Sequence, residues 1–134
     1  MPDIRIRDAA ALLGVSDDTV RRWIDGGALA SHKDDAGRKV IAGDVLAEFV
    51  REQASPPTDP TGASSSARNR LVGLVTKVTS DRVMSEVQMQ CGPFTIVSLM
   101  STASVEQLGL EPGALAVAVV KATTVIVETP AGAS

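Results

Sequence analysis

Aromatic residues are almost absent from this sequence, which has one tryptophan, two phenylalanines and no tyrosine among its 134 residues. Any hydrophobic core must therefore be built from Val, Leu, Ile, Ala and Met. A chain of this length suffices for one ordinary domain or for two small ones. Because a small domain without aromatic side chains buries little apolar area by itself, we expect it to rely on oligomerisation.

Cysteine and histidine are equally scarce, with one residue of each type, Cys91 and His32. A single cysteine excludes a disulfide framework and any zinc site built from several cysteines. The sequence shows no nucleophile–base constellation and no glycine-rich phosphate loop. We therefore predict a binding protein rather than an enzyme, and we expect no bare metal cation as its ligand.

Long apolar runs are missing, and so is the apolar segment of a signal peptide near Met1. The default expectation is a cytoplasmic protein with no membrane partner. The formal net charge is −3, and acidic residues outnumber basic ones on both sides of Ala54. Binding of nucleic acid would therefore require a local basic patch.

A stretch rich in Pro and Ser, residues 55–65, has one charged residue and no apolar periodicity. This composition predicts a tether that its prolines stiffen in part, and a flexible coil of that length would span on the order of 20 Å. We therefore predict two domains, at residues 1–54 and 66–129, followed by a flexible tail at residues 130–134.

The first domain has the pattern of two short helices separated by a turn. A helix and turn are predicted over residues 5–15, where Ile6, Ala9, Ala10 and Leu13 recur at helical spacing. Gly14 suits the left-handed position that ends a helix.

The second helix is predicted to begin after Ser16, a favourable N-cap residue, and to run to about Asp25. Its buried face is predicted to consist of Val20, Trp23 and Ile24. A hairpin with a glycine-containing tip is predicted over residues 29–41. A last helix, over about residues 43–52, is predicted to bury Val45, Leu46, Phe49 and Val50.

This order of elements resembles the winged helix-turn-helix of MerR/excisionase-like regulators. The segments that carry the resemblance are residues 8–16, 19–23, 27–29, 38–39 and 44–45. In that family the second helix enters the major groove of DNA and the wing lies on the phosphates. The resemblance therefore implies that the following residues face DNA: Thr19, Arg21, Arg22, His32, Lys33, Arg38 and Lys39.

Both this interpretation and a simpler one have a physical basis. Arginine can read guanine edges with two hydrogen bonds, and cations on a wing can neutralise phosphate. The simpler alternative is that Arg21 and Arg22 form a solvated helix face and that His32 is a loop residue. Neighbouring aspartates dilute the positive charge, which favours the alternative: Asp17, Asp18, Asp25, Asp34 and Asp35.

The second half alternates short apolar segments with turns. Five strands are predicted, at residues 69–80, 82–91, 94–100, 114–120 and 124–128, with one short helix at residues 103–108. This pattern predicts a mainly-β, five-stranded barrel like the oligonucleotide/oligosaccharide-binding (OB) fold. Because the strands are apolar on more than one face, we also predict a homo-oligomer, from a dimer up to a hexamer.

Three groups of hydrogen-bond donors are spread over this half, within residues 64–71, 101–104 and 121–124. Guanidinium, ammonium and hydroxyl groups suit an oxyanion that accepts hydrogen bonds and donates none. Taken singly, each group is equally consistent with a surface turn, and Ser101 is equally consistent with a helix N-cap.

Taken together, the segments of this half resemble a Mop domain, the molbindin or TOBE-type unit of molybdate-binding proteins. Residues 66–73, 85–87, 104–113 and 120–125 carry the resemblance. In that family, paired domains bind molybdate or tungstate at subunit interfaces. The resemblance implies these oxyanion ligands, with Ala67 and Ala122 contributing backbone groups: Ser66, Ala67, Arg68, Ser101, Ser104, Lys121, Ala122 and Thr123. Two positions depart from the family, Arg70 where glutamine is frequent and Thr123 where serine is common.

The combined prediction is a transcription regulator that senses molybdate or tungstate. Oxyanion binding between Mop domains would set the spacing of the DNA-binding domains and hence the affinity for an operator. The alternative is a cytoplasmic molybdate/tungstate storage or homeostasis protein with no role in DNA regulation. The acidic residues Asp17 and Asp18 favour that alternative.

Overall fold

The computed structural model describes residues 2–131, and the chain divides into two compact units, Met1–Ser55 and Pro56–Ser134. Most of the predicted tail at residues 130–134 lies outside the described residues. No helix among the described residues is both long and apolar enough to cross a membrane.

The first unit is a helix-turn-helix with a small antiparallel sheet. In chain order its elements are β1 (Asp3–Arg5), α1 (Ile6–Leu13), α2 (Asp17–Asp25), β2 (His32–Lys33), β3 (Lys39–Ala42) and α3 (Gly43–Gln53). The predicted hairpin is confirmed, but the sheet has three strands in the order β1-β3-β2. Arg5 was predicted to be helical. It is instead the last residue of β1, because its backbone is paired with Val40 of β3.

Local sequence sets the ends of the two helices in the motif. Gly14 ends α1 in the left-handed conformation, at φ 67°, and its N–H donates to the carbonyls of Ala10 and Ala11. Ser16 caps α2, since its Oγ accepts a hydrogen bond from the backbone N–H of Thr19 at 3.2 Å. The predicted turn from residue 14 to residue 16 is therefore confirmed.

The core of the first unit comes from the apolar faces of all three helices, from β3, and from Leu29 between α2 and β2. Its buried members are Ile6, Ala9, Ala10, Val20, Leu29, Ile41, Leu46 and Phe49. The ring of Trp23 packs at its edge, with its centroid 5.1 Å from that of Phe49. Val50 was predicted to be buried, yet it is 37% exposed. It lies about 100° around the helix from Phe49, at the edge of the face that Leu46 and Phe49 bury.

The second unit is an antiparallel sheet with one short helix. Its elements are β4 (Asn69–Ser80), β5 (Met84–Cys91), β6 (Phe94–Ser101), α4 (Thr102–Leu108), β7 (Leu115–Val120) and a 3₁₀ turn (Ala122–Thr124). The strand order is β6-β5-β4-β7, and the sheet curls into half of a barrel. Its buried core consists of Val75, Val87, Met89, Cys91 and Val105.

The predicted fifth strand, at residues 124–128, is not part of this sheet. The chain leaves β7 through the 3₁₀ turn and then runs without strand pairing. Val125, Ile126 and Val127 are 46%, 86% and 84% exposed. An apolar segment becomes a strand only where a sheet edge can pair with it, and no described edge of this chain does so. The sheet of the single chain is therefore four-stranded, with β6 and β7 at its edges.

Gly73 permits the close approach of β4 to β5. A Cβ atom at this position would lie 2.7 Å from Cys91 Sγ and closer still to the carbonyl oxygen of Gln90. The register between the two strands then shifts between Val75 and Lys77, which marks a bulge. A residue without a side chain is therefore required where the sheet curls.

Candidate functional site

The pairing of β4 with β7 brings two of the predicted donor groups together within one chain. Asn69 is paired with Val120, and its Nδ2 donates to the Val120 carbonyl oxygen at 3.1 Å. Arg68 precedes Asn69 and Lys121 follows Val120, so these two cations lie at the same corner of the sheet. We call the residues that meet there the Arg68 corner: Ser66, Ala67, Arg68, Lys121, Ala122 and Thr123.

The Arg68 corner presents exposed donors without a counter-ion. Arg68 Nη1 donates to the Ser66 carbonyl oxygen at 3.2 Å, and the Ala67 N–H donates to Ser65 Oγ at 3.0 Å. Ala67 is buried, whereas Arg68, Lys121 and Thr123 are exposed. Neither cation forms an ion pair with any residue from 2 to 131. Two neighbouring cations without an anion favour an anionic ligand.

The 3₁₀ turn supplies further donors at this corner. Its first backbone hydrogen bond runs from Thr124 N to the Lys121 carbonyl oxygen at 3.0 Å. The N–H groups of Ala122 and Thr123 come before that bond, and helical geometry gives such groups no partner within the turn. They therefore add uncharged donors beside the two cations.

The third donor group lies at the far end of the same sheet. Ser101 is paired with Met84 of β5. The next residue of β5, Ser85, is paired with Ser80, the last residue of β4. Because β4 has 12 residues, its two ends are separated by roughly 3.3 Å per residue, or more than about 30 Å along the strand. The third donor group, Ser101 and Ser104, is called the Ser101 end. Because of this separation, the Ser101 end and the Arg68 corner of one chain do not meet.

Ser101 is the N-cap of α4. Its Oγ accepts from the Ser104 N–H at 3.1 Å and lies 2.7 Å from Ser104 Oγ. The alternative interpretation of Ser101 as a helix cap is thus confirmed. The Ser101 and Ser104 hydroxyl groups share one hydrogen bond, which occupies the proton of only one of them. The proton of the other hydroxyl group is still available to donate. The Ser101 end can still donate to a ligand.

The predicted DNA-reading residues of α2 form a chain of hydrogen bonds. Ser16 Oγ lies 3.0 Å from Thr19 Oγ1, which in turn accepts from Arg22 Nη2 at 3.1 Å. The N-cap therefore orients Thr19, and Thr19 orients the guanidinium of Arg22. Arg21 and Arg22 are both exposed. A preoriented arginine loses less entropy when it makes paired hydrogen bonds to a base.

The basic residues of the wing divide into those with an acidic partner and those without one among the described residues. His32 Nε2 lies 3.2 Å from Asp3 Oδ1, and Arg38 Nε donates to Asp34 Oδ2 at 3.0 Å. Hydrogen bonds from the backbone and the side chain of Arg38 lower the pKa of Asp34. Lys33 and Lys39 face each other across the hairpin, and neither forms an ion pair among the described residues.

Two cations of the first unit, Arg5 and Arg7, are not among the residues that the sequence predicts to face DNA. Arg5 and Arg7 line a cleft of about 370 Å³ together with predicted residues of α2 and the wing, and the full lining is Arg5, Ile6, Arg7, Asp17, Arg21, Arg38 and Lys39. The alternation of arginines around the buried Ile6 was the signal that could have revealed them. The sequence pattern predicts a helix from Arg5 onward, whereas Arg5 is the last residue of β1.

Metal coordination is not indicated in the described part of the chain. No group of three or more His, Cys, Asp or Glu side chains there could hold a metal ion. Cys91 is buried, and its Sγ lies 3.6 Å from the carbonyl oxygen of Leu71.

Comparisons with known proteins find a match for each unit. Residues 65–127 match the TOBE domain, and residues 4–54 match a helix-turn-helix domain. Molybdenum-pterin-binding protein 2 of Clostridium pasteurianum is 43% identical over 65 residues, which make up 48% of this chain and 96% of that protein.

Two solved structures are similar to the same half. MopII from Clostridium pasteurianum, in an apo form, is 42% identical with a TM-score of 0.46, covering 49% of this chain and 100% of its own. The cytoplasmic molybdate-binding protein ModG, crystallised with molybdate bound, is 40% identical with a TM-score of 0.50. That match covers 55% of this chain and 52% of ModG.

Proposed function

Because this chain belongs to the TOBE-domain family and carries a helix-turn-helix domain ahead of its TOBE domain, we propose that it is a transcription regulator that binds molybdate or tungstate. The observation that carries the proposal is the Arg68 corner, where Arg68 and Lys121 flank the paired residues Asn69 and Val120 and have no counter-ion among the described residues. A binding role without catalysis agrees with the names of the relatives, which describe binding proteins.

The chemistry of the donors selects among oxyanions. Molybdate is a dianion that only accepts hydrogen bonds at neutral pH, and the cations, hydroxyls and N–H groups of the site satisfy it without offering an acceptor. Hydrogen phosphate would have to donate, and an unpaired buried donor costs about 1–3 kcal/mol. Sulfate makes the same demand on the donors as molybdate but is smaller, so the size of the closed site must reject it.

The full ligand set requires two chains. The Arg68 corner and the Ser101 end lie at opposite ends of one sheet, yet both belong to the predicted set. They can surround one oxyanion only if the Arg68 corner of one chain faces the Ser101 end of another. The proposed site is therefore a subunit interface, and bound oxyanion stabilises the oligomer by mass action.

Exposed apolar residues support such an oligomer. The edge strands β6 and β7 expose Val97, Leu99, Leu115 and Val119 by 46–70%. A groove of about 440 Å³, lined mainly by apolar side chains of β6 and β7, opens between these edges. We propose that the exposed segment Val125 to Val127 pairs with an edge strand of a second copy and closes the OB-like barrel there.

Regulation then follows from the geometry of the oligomer. An oxyanion that fixes the arrangement of the TOBE domains also fixes where their tethers begin, and hence the spacing at which two helix-turn-helix domains can meet DNA. We place this activity in the cytoplasm because ModG is described as a cytoplasmic molybdate-binding protein. Storage of oxyanion without DNA binding is the second candidate, because Asp17 places a negative charge within the basic surface of the first unit.

Calorimetry on the full chain tests the oxyanion half of the proposal. Molybdate, tungstate, sulfate and phosphate are titrated at one ionic strength, and we expect the first two to bind comparably and the last two weakly. Sulfate binding as tight as molybdate binding would show that the site is not the selective one described.

A gel shift tests the regulatory half. The probe is DNA from upstream of the protein's own gene, with and without molybdate. We expect a complex whose affinity changes when molybdate is added. A protein that binds molybdate but no DNA would be the storage protein instead.

A further inference from the structure

We propose that the cleft between β1, α1, α2 and the wing binds the phosphate backbone of duplex DNA, with Arg5 and Arg7 as additional contact residues. This inference rests on the DNA-binding part of the proposed function and extends it to Arg5 at the end of β1 and Arg7 in the first turn of α1, both outside α2 and the wing. The cleft has a volume of about 370 Å³, and we call it the basic cleft.

The basic cleft concentrates positive charge on an otherwise acidic chain. Five cations line it, against one carboxylate, that of Asp17: Arg5, Arg7, Arg21, Arg38 and Lys39. The whole chain has a formal net charge of −3. A local excess of cations on an acidic protein is the patch that nucleic-acid binding requires, since the overall charge cannot supply the attraction.

Most of these cations are available to a ligand. Arg38 is held by Asp34, with Nε 3.0 Å from Oδ2. The other four form no ion pair with any residue between positions 2 and 131. All five side chains belong to exposed residues. Cations held together without counter-ions repel one another, and a polyanion relieves that repulsion.

The five cations are carried by four parts of the fold, β1, α1, α2 and the wing. Arg5 ends β1 and is paired through its backbone with Val40 of β3, which brings it beside Lys39. Arg7 lies in the first turn of α1, and Ile6 between the two arginines is buried in the core. Arg21 projects from α2. Because Ile6 anchors the segment, Arg5 and Arg7 are fixed at the rim of the cleft.

The shape of the basic cleft favours a polymer over a small ligand. Pockets for small molecules are mostly apolar and enclose most of the ligand, whereas this cleft is lined by charged side chains that are exposed to solvent. Three of its residues, Arg21, Arg38 and Lys39, belong to the helix and wing already proposed to face DNA. A backbone lying in the cleft would therefore continue onto that surface.

The salt dependence of DNA binding tests this assignment. The full chain is titrated against a fluorescently labelled duplex of arbitrary sequence over a range of salt concentrations. Each lost phosphate contact reduces the slope of log K against log salt by about 0.9. We expect Arg5→Gln and Arg7→Gln each to flatten the slope by about 1 and to weaken binding at low salt. Arg51→Gln, an exposed arginine of α3 outside the cleft, is the matched control and should leave the slope unchanged.

Asp17 provides a test of the opposite sign. Asp17→Asn removes the carboxylate from the basic cleft and should strengthen binding to any duplex. Asp18→Asn removes a charge from the same first turn of α2, but Asp18 does not line the cleft and should have a smaller effect. Thermal unfolding followed by Trp23 fluorescence confirms that each variant keeps its fold.

The outcomes separate this inference from the function on which it rests. If the parent protein binds no duplex, the DNA-binding function is wrong and the assignment of the cleft falls with it. If the parent binds while Arg5→Gln and Arg7→Gln keep its slope, the assignment alone is wrong. A competition experiment adds inorganic phosphate to the protein–duplex complex at constant ionic strength. We expect it to displace duplex no better than chloride does, and stronger displacement would make the cleft a site for a small anion.

Discussion

Arg70 of β4 holds Asp59 of the proline-rich stretch, with Nε 2.6 Å from Oδ2. Its Nη2 also donates to Thr61 Oγ1 at 2.8 Å. The stretch was predicted to be a tether, yet at this point it is fastened to the sheet of the second unit. Arg70 is also the residue that departs from the glutamine frequent in Mop domains, and an uncharged amide would replace the ion pair with a weaker hydrogen bond.

We call the contacts of Arg70 with Asp59 and Thr61 the clamp. Loss of the clamp should increase the backbone motion of residues 59–63. Hydrogen exchange followed by mass spectrometry reports on it, because the N–H groups of Thr61 and Ala63 donate to Asp59 and Thr61. We expect faster exchange in this stretch for Arg70→Gln and Asp59→Asn. Arg82→Gln, an exposed arginine in the turn before β5, is the control. Equal exchange in all four proteins would show that the clamp does not order the stretch.

The clamp should also depend on pH. Hydrogen bonds from Arg70, and after it from Thr61, lower the pKa of Asp59 well below its ordinary value. The stabilisation is therefore complete above about pH 4, the pKa of an unperturbed Asp, and is lost as the pH falls towards the lower folded-state value. An NMR titration of the Asp59 carboxyl carbon should show it still ionised where free Asp is half protonated. A midpoint near pH 4 would contradict the ion pair.

Removal of the Arg68 guanidinium should weaken molybdate binding strongly. A charge-assisted donor is worth roughly 1.5–3 kcal/mol, so Arg68→Ala should raise the Kd about 10- to 150-fold. Arg68→Lys should recover only part of this, since a point charge replaces a planar fork. Calorimetry of both variants with molybdate measures the effect, and Arg82→Ala controls for loss of a distant charge. An unchanged affinity in Arg68→Ala would place the site elsewhere.

Mixed oligomers can show whether the two parts of the site come from different chains. Arg68→Ala and Ser104→Ala should each bind molybdate poorly. A mixture of the two variants should recover part of the binding sites, because an intact Arg68 corner can meet an intact Ser101 end. A mixture of Arg68→Ala and Lys121→Ala should recover none, since both changes damage the same corner. Recovery in both mixtures, or in neither, would rule out the proposed division.

The roles of α2 and the wing should separate in DNA binding. We propose that Arg22, which donates to Thr19, reads bases, so Arg22→Ala should lower the preference for the operator over unrelated DNA. Lys33 lies on the wing, so Lys33→Ala should weaken binding to every duplex and flatten the salt dependence. Binding assays on operator and unrelated fragments compare the two effects. If both variants behave like the parent, the surface does not read DNA in this way.

Gly73→Ala should destabilise the second unit selectively. Its methyl group would overlap the Gln90 carbonyl and crowd Cys91 Sγ. Overpacking of this kind costs about 1–3 kcal/mol, and backbone contact puts this case at the upper end. Denaturant unfolding followed by circular dichroism should show the loss. Trp23, the sole tryptophan, lies in the first unit and serves as an internal control whose fluorescence transition should not move.

Local chemistry in the sequence determined most of the secondary structure. Gly14 and Ser16 mark the turn between α1 and α2, and Ser101 and Gly109 mark the ends of α4, because caps and left-handed positions depend on neighbouring residues alone. The resemblance identified the TOBE and helix-turn-helix domains from motifs in order along the chain. Each of these signals acts over a few residues, which is why it can be read before the fold is known.

Pairing between distant segments was decided by the tertiary structure. The register of β4 against β7 brings the residues next to Arg68 and Lys121 together, and that of β5 against β6 puts Ser101 at the opposite end of the sheet. The short strand β1 exists because β3 offers it an edge, whereas residues 125–127 pair with no edge among residues 2–131. A strand's partner lies far away in sequence, so pattern and propensity indicate that a segment can be a strand but not what it pairs with.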